Sequence, residues 1–273
     1  MPLLESCLVS LRRAVGGVGH EVIVIDNNSS DNSPTVAAAY FPEKPVLINV
    51  VNRGFAAACN QGAMVAMGEY LLFLNPDVEV DIDAIEQLLA VFAHGDRIGM
   101  AGGRIRHPDG TFQPTCRRFP TISNLFFSRG SFLSRLLREA HLWDRVSYTL
   151  PDYAQTTIVD AVAGTMVMIR RDLFTRAGGF DERFFLYMED TDLSLWFNQH
   201  GYVNVFVSAA GATHHWRQGS RIGRLNRCRH HHHSMWKYFR KHSPGNWRLL
   251  GLLLLLTVNF LLVSIFPWPR RGV

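Results

Sequence analysis

The sequence contains few cysteines and no pair of them in a CxxC arrangement. The four that are present, Cys7, Cys59, Cys116 and Cys228, are scattered along 273 residues. A structural zinc site or a disulfide framework needs cysteines at short, recurring spacings. Both are therefore unexpected, and since no secretory leader precedes the cysteines, we expect a protein of the reducing cytosol.

Acidic residues are missing from the C-terminal part of the chain. All 23 Asp and Glu lie at or before Asp192, together with 17 of the 28 Lys and Arg, while the other eleven basic residues follow it. The body is thus acidic and the remainder is basic. A basic segment of this kind is typical of contact with a polyanion or a membrane surface. The acidic body, in contrast, argues against a nucleic-acid-binding protein.

Charge is also absent from residues 249–266, a segment that is apolar on all sides. As a helix it would reach about 27 Å, slightly short of a hydrocarbon core of about 30 Å. Trp247 and Trp268 flank it, as is common at membrane interfaces. We predict a main domain over residues 1–242 and a membrane-associated tail over residues 243–273, with the larger basic flank placing the body on the cytoplasmic face of the inner membrane. A buried core helix is the alternative.

Four consecutive histidines at 230–233 precede this segment, inside the basic and aromatic stretch RCRHHHHSMWKYFRKH. Four adjacent side chains cannot all point the same way on a helix. We therefore interpret the stretch as a juxtamembrane segment, and a metal site there is unexpected.

Apolar stretches with the pattern of strands alternate with helical stretches along the body. This order predicts an α/β fold with a mostly parallel sheet, in which ligands bind beyond the carboxyl ends of the strands. Asp26 ends a predicted strand, and Asn52 and Asp77 each come shortly after one. The predicted strands are 21–26, 46–51, 70–74, 99–104, 157–169 and 203–207, and the predicted helices are 3–15, 34–40, 54–67, 82–92, 125–137, 172–177 and 191–200.

The strand YLLFL runs directly into Asn75-Pro76-Asp77. Proline restricts the backbone and removes a donor, so the Asp77 carboxylate is held at the end of the strand, where an oxygen-seeking cation can bind. A turn leading into the next helix explains the same residues, so this motif alone leaves both interpretations open. The pair His214 and His215, which follows a strand farther on, is open in the same way between metal ligation and ordinary packing.

Four acidic residues stand within twelve positions, beside a group of aromatic residues. They are Asp181, Glu189, Asp190 and Asp192, in GGFDERFFLYMEDTDLSLWF. A single carboxylate in the first turn of a helix would be explained as a cap. Several carboxylates beside an aromatic wall indicate one whose proton affinity is raised by burial and like charge, as a general base requires.

Six motifs, in this order and spacing, resemble glycosyltransferase family 2, in particular its bacterial rhamnosyltransferase-like members. They are EVIVIDNNSSDNS, NRGFAAACNQG, GEYLLFLNPDVEV, VDAVAGTMVMIRR, GGFDERFFLYMEDTDL and ATHHW, and they lie within residues 3–242. The resemblance implies a GT-A fold and an inverting transfer of a sugar, with rhamnose as a candidate. It implies a dTDP- or UDP-sugar as donor and a glycan or lipid-linked acceptor in cell-surface polysaccharide synthesis.

The resemblance also implies roles for individual residues. Asp190 matches the catalytic base, beside Glu189, and Asp77 with His214 matches the ligands of a divalent ion, Mg²⁺ or Mn²⁺. Asn75 stands where the first Asp of the DxD motif often lies, which leaves one protein carboxylate on the ion. The implied nucleotide-sugar-binding residues are Asp26, which would contact the base, Asn28, Asn52, Gly54, Asn75 and Asp77, and the implied acceptor-binding residues are Gly164 and Asp192.

Members of that family open with a strand of the form VSVIIVTYN, whereas this chain begins inside the helix that follows it, at Pro2. That strand is central to the sheet and contributes to the base pocket. We therefore expect the 273-residue form to fold poorly or to be inactive, and the DNA upstream of Met1 to encode such a strand in frame. A nucleotidyltransferase, which shares the sheet and the acid-bound metal, and a catalytically dead, membrane-tethered binding protein are the alternatives.

Overall fold

The computed structural model describes residues 2–122, 154–215 and 222–265. Its helices are α1 (Pro2–Ala14), α2 (Ser33–Tyr40), α3 (Phe55–Val65), α4 (Ala84–Phe92), α5 (Arg171–Arg176), α6 (Glu189–Gln199), α7 (Arg224–His242) and α8 (Arg248–Ile265). Its strands are β1 (Ile25–Asp26), β2 (Leu47–Ile48), β3 (Tyr70–Leu74), β4 (Val78–Val80), β5 (Ile98–Arg106), β6 (Phe112–Gln113), β7 (Cys116–Arg117), β8 (Thr157–Val159), β9 (Ala161–Val162), β10 (Met166–Arg170) and β11 (Val203–His214). The predicted helix at 125–137 lies outside the described residues.

A seven-stranded mixed sheet forms the centre of the protein. Its strands lie in the order β3-β10-β5-β11-β4, with β6 added to β5 and β8 added to β11. Strands β5 and β11 run parallel, whereas β10 is antiparallel to both β3 and β5, and β4 is antiparallel to β11. Strands β1 and β2 form a separate parallel pair, and β7 pairs with β9. The predicted α/β class is confirmed, but the expected mostly parallel pairing is wrong for the large sheet, because β10 inserts antiparallel between β3 and β5.

Alternate residues of strand β3 enter two different cores, as the two-residue period of a strand requires. Leu72 and Leu74 face a core built with helices α1, α2 and α4. Leu71 and Phe73 face a second core built with helices α3, α5 and α6. Helices therefore cover both faces of the sheet, which leaves the strand ends as the accessible places for a ligand.

Four predicted strands differ clearly from the observed ones. The predicted strands 21–26 and 46–51 are reduced to the two-residue strands β1 and β2, because the two pair with each other only over these residues. The stretch 157–169 is divided into β8, β9 and β10, because the chain pairs first with β11, then with β7, and then with β3 and β5. Strand β11 extends to His214, and its pairing with β5 shifts register between Val207 and Gly211. Such an irregularity interrupts the alternation of side chains, so periodicity alone ended the predicted strand too early.

Helices α7 and α8 form a hairpin outside the sheet. The stretch with the four histidines, for which no helix was predicted, forms α7. The hairpin shares a third core with the loop before α6, built from Phe184, Met188, Met235, Tyr238, Phe239 and Leu252. Helix α8 is long and apolar enough to cross a membrane, and only 11% of it is buried. This exposure is inconsistent with the alternative of a buried core helix.

Candidate active site

Asn27, at the end of strand β1, ties together two loops that were predicted to bind a nucleotide. Its Nδ2 donates hydrogen bonds to Asn52 Oδ1 and to the Gly54 carbonyl oxygen, both at 3.0 Å. Its Oδ1 accepts the backbone N–H of Arg53 at 2.9 Å. The result is a polar shelf beyond β1 and β2. Asn27 was missed because the sequence presents two adjacent asparagines, and only the direction of the side chain distinguishes them.

The predicted nucleotide-binding residues lie on or beside this shelf. Asp26 is buried, and its Oδ2 accepts the Ser29 N–H at 3.1 Å. Asn28 is exposed and has a left-handed backbone, with φ of 67°. Asn52 Oδ1 also accepts the Gly54 N–H at 2.9 Å. The structure thus brings these residues together, while their contact with a nucleotide stays a prediction.

Gly54 is the point at which the shelf meets the loop before α6. Its φ is +87°, a value that favours glycine, and an added Cβ would lie 2.5 Å from the Phe185 carbonyl oxygen. That same oxygen accepts the Phe55 N–H at 2.9 Å. The absence of a side chain at position 54 therefore allows the shelf to contact the loop before α6.

Asp77 and His214 approach each other where β4 pairs with the end of β11. Asp77 Oδ1 lies 3.1 Å from His214 Nε2, and both residues are buried. Gln113 Oε1 lies 3.0 Å from His214 Nδ1. When Gln113 Oε1 accepts a hydrogen bond from Nδ1–H of the neutral imidazole, the lone pair on Nε2 faces Asp77. Two acceptors that face each other in a buried place fit a shared cation.

This pair fits a hard divalent ion in its donor atoms and its spacing. The carboxylate oxygen suits both Mg²⁺ and Mn²⁺, and a neutral imidazole nitrogen is a common metal ligand in proteins. Adjacent ligands of an octahedral ion, each about 2.1 Å from it, are about 3 Å apart. The observed separation is 3.1 Å. Among the described residues no group of three or more acidic, histidine or cysteine ligands is present, so oxygen atoms from outside this pair would complete the coordination.

Asp190 is a buried carboxylate in the first turn of α6, held in one orientation by several donors. Its Oδ2 accepts the Gly164 N–H at 3.0 Å, and its Oδ1 accepts the Thr191 N–H at 2.6 Å. Arg117 Nη1 lies 3.4 Å from both oxygens. Gly164 therefore orients the predicted base, and its predicted contact with an acceptor stays a prediction.

Glu189 adjoins Asp190 but lacks the donors that surround that carboxylate at one of its oxygens. It is buried, and its Oε2 is among the buried side-chain oxygens of the described residues that lack a hydrogen-bond partner. Burial, and secondarily the charge of Asp190, raises the pKa of Glu189 to about 8. Glu189 is therefore mostly protonated at neutral pH.

The preceding Tyr187 and Met188 both have left-handed backbones, with φ of 70° and 74°, a strained arrangement that is common at functional sites.

Asp192, the third acid of this turn, is bonded to helix α7. Its Oδ2 accepts a hydrogen bond from Lys241 Nζ, and its Oδ1 lies beside His242 Nε2, both at 2.7 Å. Lys241 also reaches Asp181 Oδ2 at 2.9 Å. Asp192 thus links α6 to α7, and its predicted contact with an acceptor stays a prediction.

The acid pair and the Asp77–His214 pair are connected through two adjacent residues. Gly164 donates its N–H to Asp190, and the carbonyl oxygen of Thr165 accepts the Asn75 N–H at 3.0 Å. Asn75 begins the turn that carries Asp77. The two parts of the candidate site are therefore fixed relative to each other by hydrogen bonds to the adjacent backbone groups of residues 164 and 165.

Gln113 and Arg117 are the two further candidates that the sequence did not reveal. They lie in a stretch without a recognisable motif and reach partners 101 and 73 residues away. The pairings of β6 with β5 and of β7 with β9 place them there. Only this long-range pairing marks them.

Comparison with known proteins identifies the family to which this site belongs. The family model described as Glycosyl transferase family 2 matches residues 2–178. The chain belongs to glycosyltransferase family 2. The predicted resemblance is thereby confirmed, and the chain is a glycosyltransferase rather than a nucleotidyltransferase.

Relatives of this family 2 chain include two rhamnosyltransferases. N-acetylglucosaminyl-diphospho-decaprenol L-rhamnosyltransferase from Mycobacterium tuberculosis is 30% identical over 264 residues, which cover 90% of this chain and 83% of that protein. Rhamnosyltransferase WbbL from Escherichia coli is 25% identical over 177 residues, which cover 63% of this chain and 62% of that protein.

Solved structures with a similar fold confirm the GT-A architecture. Mannosyltransferase PcManGT from Pyrobaculum calidifontis, in complex with GDP-Man and Mn²⁺, has a TM-score of 0.56 at 16% identity, covering 100% of this chain and 72% of that chain. TarS from S. aureus, in complex with UDP, has a TM-score of 0.54 at 12% identity, covering 98% of this chain and 70% of that chain. At these identities the likeness concerns the fold alone.

Replacing Glu189 with glutamine should weaken the pH dependence of stability. The pKa of Glu189 is about 8 in the folded protein, against an ordinary value of 4.5. Between these values the folded state keeps a proton that the unfolded state has released, so the free energy of unfolding of the parent protein falls as pH rises. Glu189→Gln cannot titrate and should lack this component. Urea unfolding at several pH values between 4.5 and about 8 measures it. Glu43→Gln, at an exposed position, is the control; equal slopes for parent and Glu189→Gln would contradict the assignment.

Replacing Gly54 with alanine should destabilise the protein by roughly 1 to 3 kcal/mol, because strain in the backbone is joined by a clash with Phe185. Gly110→Ala is a matched control, since Gly110 has a similar φ of +84° but nothing within 4 Å of an added Cβ. Thermal unfolding compares the two variants. A loss in Gly54→Ala no greater than that in Gly110→Ala would show that the close approach to Phe185 is unimportant.

Proposed function

We propose that the chain transfers a sugar, with rhamnose as the candidate, from a nucleoside-diphosphate sugar to a glycan or lipid-linked acceptor, with inversion at the anomeric carbon. The observation that carries this proposal is the connection of the oriented Asp190 carboxylate to the Asp77–His214 pair through residues 164–165. Such a site can act at the same time on the acceptor oxygen that forms the new bond and on the diphosphate that leaves. The relatives named as rhamnosyltransferases support the choice of sugar and a role in polysaccharide synthesis.

The polar shelf beyond β1 and β2 is the proposed place for the nucleotide. Asp26, Asn28, Asn52 and Gly54 supply carboxylate, amide and backbone groups there, and Asn75, at the start of the turn that carries Asp77, is the further proposed contact. Asn27 holds the shelf in shape through its bonds to Asn52 and Gly54. A dTDP- or UDP-sugar is the proposed donor, in line with solved structures of similar fold that contain UDP or GDP-Man.

Asp77 and His214 are the proposed ligands of Mg²⁺ or Mn²⁺. When bound, such an ion neutralises negative charge on the departing nucleoside diphosphate. Gln113 acts on His214 from outside, since it fixes which ring nitrogen carries the proton. Similar folds have been solved with Mn²⁺.

Asp190 is the proposed general base. Its carboxylate removes the proton from the acceptor hydroxyl as that oxygen attacks the anomeric carbon from the face opposite the leaving diphosphate. Gly164, Thr191 and Arg117 hold the carboxylate in place. Glu189 is the second member of the pair, and its raised pKa keeps it protonated at neutral pH, which limits repulsion beside the base.

The proposed location is the cytoplasmic face of the inner membrane. The exposed apolar helix α8 and the basic residues after Asp192 support association with a membrane. A relative named for a decaprenol-linked acceptor substrate fits such a place. A nucleic acid is not among the proposed partners.

Incubating the purified chain with a panel of nucleotide sugars and candidate acceptors, with and without Mg²⁺ or Mn²⁺, tests the proposed reaction. Metal-dependent release of a nucleoside diphosphate together with glycosylation of the acceptor is expected. Absence of turnover with every donor, when the protein still binds a nucleoside diphosphate, would favour the catalytically dead binding protein instead.

Replacing Asp190 with asparagine should retain donor binding and reduce turnover by about a hundredfold or more, the scale of a lost general base. Asp172→Asn, an exposed aspartate on α5, is the control for a generic change of charge. Steady-state rates and calorimetric titration of the nucleoside diphosphate separate the two effects. Near-normal turnover in Asp190→Asn would contradict the assignment of Asp190 as the base.

Replacing a proposed metal ligand should weaken metal-dependent binding more than replacing the residue that orients a ligand. Asp77→Asn should abolish Mn²⁺-dependent binding of a nucleoside diphosphate, because it removes the carboxylate ligand. Gln113→Leu leaves both ligands in place and should weaken Mn²⁺ affinity by about 10- to 100-fold, the usual effect of a lost partner behind a ligand. Gln199→Leu, at an exposed end of α6, is the control. Unchanged calorimetric affinity in Asp77→Asn would refute this metal site.

A further inference from the structure

Helix α8 presents one apolar side to solvent along its whole length. Leu250, Leu254, Val258, Leu261 and Ile265 recur every three or four residues, so they lie on one side of the helix. Each of them is between 44% and 75% exposed. We call these five residues the outer face of α8. An apolar side this long is unusual on a water-soluble surface and marks a place of interaction.

The opposite side of α8 is fastened to α7 along most of its length. Near the start of α8, Leu252 is fully buried in the core shared with Met235 and Tyr238. Farther along, Asn259 Nδ2 lies 3.0 Å from His232 Nε2. Close to the end of α8, Arg224 Nη2 donates to the Val263 carbonyl oxygen at 3.1 Å. Because the links run in opposite directions along the two chains, the helices are antiparallel and side by side.

Helix α7 is in turn fastened to the catalytic domain. Lys241 and His242 bind Asp192 at 2.7 Å each. Ser234 Oγ donates to the Leu186 carbonyl oxygen at 2.8 Å, and Lys237 donates to that of Arg183. Helix α8 is thus part of the same packed unit as the candidate active site, and it cannot leave α7 without exposing polar partners.

The charge on α7 restricts how this unit can meet a bilayer. Helix α7 carries six Lys and Arg, namely Arg224, Arg227, Arg229, Lys237, Arg240 and Lys241. If α8 crossed the membrane while paired with α7, these cations would be carried into the hydrocarbon region, where charged side chains are costly. If α8 lies along the surface, its outer face enters the lipid and α7 stays on the protein side.

We propose that α8 is an interfacial anchor that lies in the plane of an anionic lipid surface, with its outer face inserted, and does not cross the bilayer. This proposal rests on the proposed function for the meaning of the location, because a lipid-linked acceptor is reached at such a surface. The geometry of the anchor itself does not depend on the reaction.

The charge distribution selects lipid rather than a second copy of the chain as the occupant of the outer face. Eleven basic residues and no acidic residue follow Asp192, so two hairpins placed face to face would bring like charges together. The same charges favour an anionic lipid surface. Trp247, at the start of α8, is 78% exposed, which is typical of a residue at the level of lipid headgroups.

This arrangement would place the candidate site one helix away from the lipid. On the side of α7 that faces the loop before α6, the rings of His230 and Phe185 stack with centroids 4.6 Å apart. His231 and Tyr187 contact edge to face at 5.6 Å. Helix α7 therefore lies between the anchor and the loop that leads into Glu189 and Asp190.

Flotation of the full chain with vesicles tests the anchor. With vesicles of phosphatidylcholine and phosphatidylglycerol the parent protein should float. The double variant Leu254→Glu and Leu261→Glu should bind at least about tenfold less, because charge enters the outer face. The double variant Met64→Glu and Met67→Glu introduces the same two charges at exposed apolar residues outside the tail and should bind like the parent. Equal binding by the double variant, or no binding by the parent, would overturn the proposal.

Depth measurements distinguish an anchor that lies flat from a helix that spans. Single cysteines at Leu250, Val258 and Ile265, in a chain whose two incompletely buried cysteines, Cys59 and Cys228, are serine, carry a fluorescent label that brominated lipids quench. A flat anchor gives similar shallow depths at all three positions. A deep Val258 between two shallow ends would mean that α8 crosses the bilayer, and the proposal would be wrong.

Two further measurements separate failure of the anchor from failure of the proposed function. Donor binding with Mn²⁺ in solution should be the same in the parent and in the double variant, since α8 lies outside the donor site. If neither protein binds the donor, the proposed function is refuted, and flotation alone then decides whether the proposed anchor is correct. Light scattering without lipid should find a monomer; a dimer that the double variant dissociates, together with no flotation, would assign the outer face to a second copy and overturn the proposal.

Discussion

Three carboxylates lie in the buried first turn of helix α6, and their repulsion and loss of hydration have to be offset within a few ångströms. Each is handled by different chemistry. Burial keeps Glu189 protonated, backbone and arginine donors surround Asp190, and a lysine and a histidine contact Asp192. A buried carboxylate without such partners would be strongly destabilising. The arrangement of the surrounding elements follows from these three solutions.

The partners of the three acids come from separate parts of the chain. The Asp190 donors require β7 to pair with β9, so that Arg117 and Gly164 both come within reach of the acid. The Asp192 partners require α7 to pack against α6, which explains why a basic helix follows an acidic body. The Gly164 contact continues through Thr165 to the turn of Asp77. The same acidic turn therefore orients the proposed base, attaches the hairpin and fixes the distance to the proposed metal ligands.

The basic C-terminal part of the chain consequently serves two purposes in one stretch. Some of its cations neutralise the acids of the body, as Lys241 does for Asp181 and Asp192. Others, such as Arg229 and Arg240, remain exposed and are available to an anionic surface. Composition alone shows the asymmetry of charge, but it cannot divide the cations between these two uses, because that division depends on which of them reach an acidic partner.

The sequence by itself determined the features that depend on neighbouring residues: the α/β class, most helices, the turn at Asp77 and the acidic start of α6. Periodicity, proline and local charge are legible within a short window, so Asp26, Asp77 and Asp190 could be selected as candidates. The tertiary structure alone decided which partners those residues receive. Gln113 reaches His214 across 101 residues and Lys241 reaches Asp192 across 49. The tertiary structure also decided the mixed pairing of the sheet and the length of β11. A register shift in β11 interrupts the alternation of its side chains before it reaches His214. Such contacts arise from strand pairing and helix packing between residues far apart in the sequence, so a local sequence pattern does not predict them.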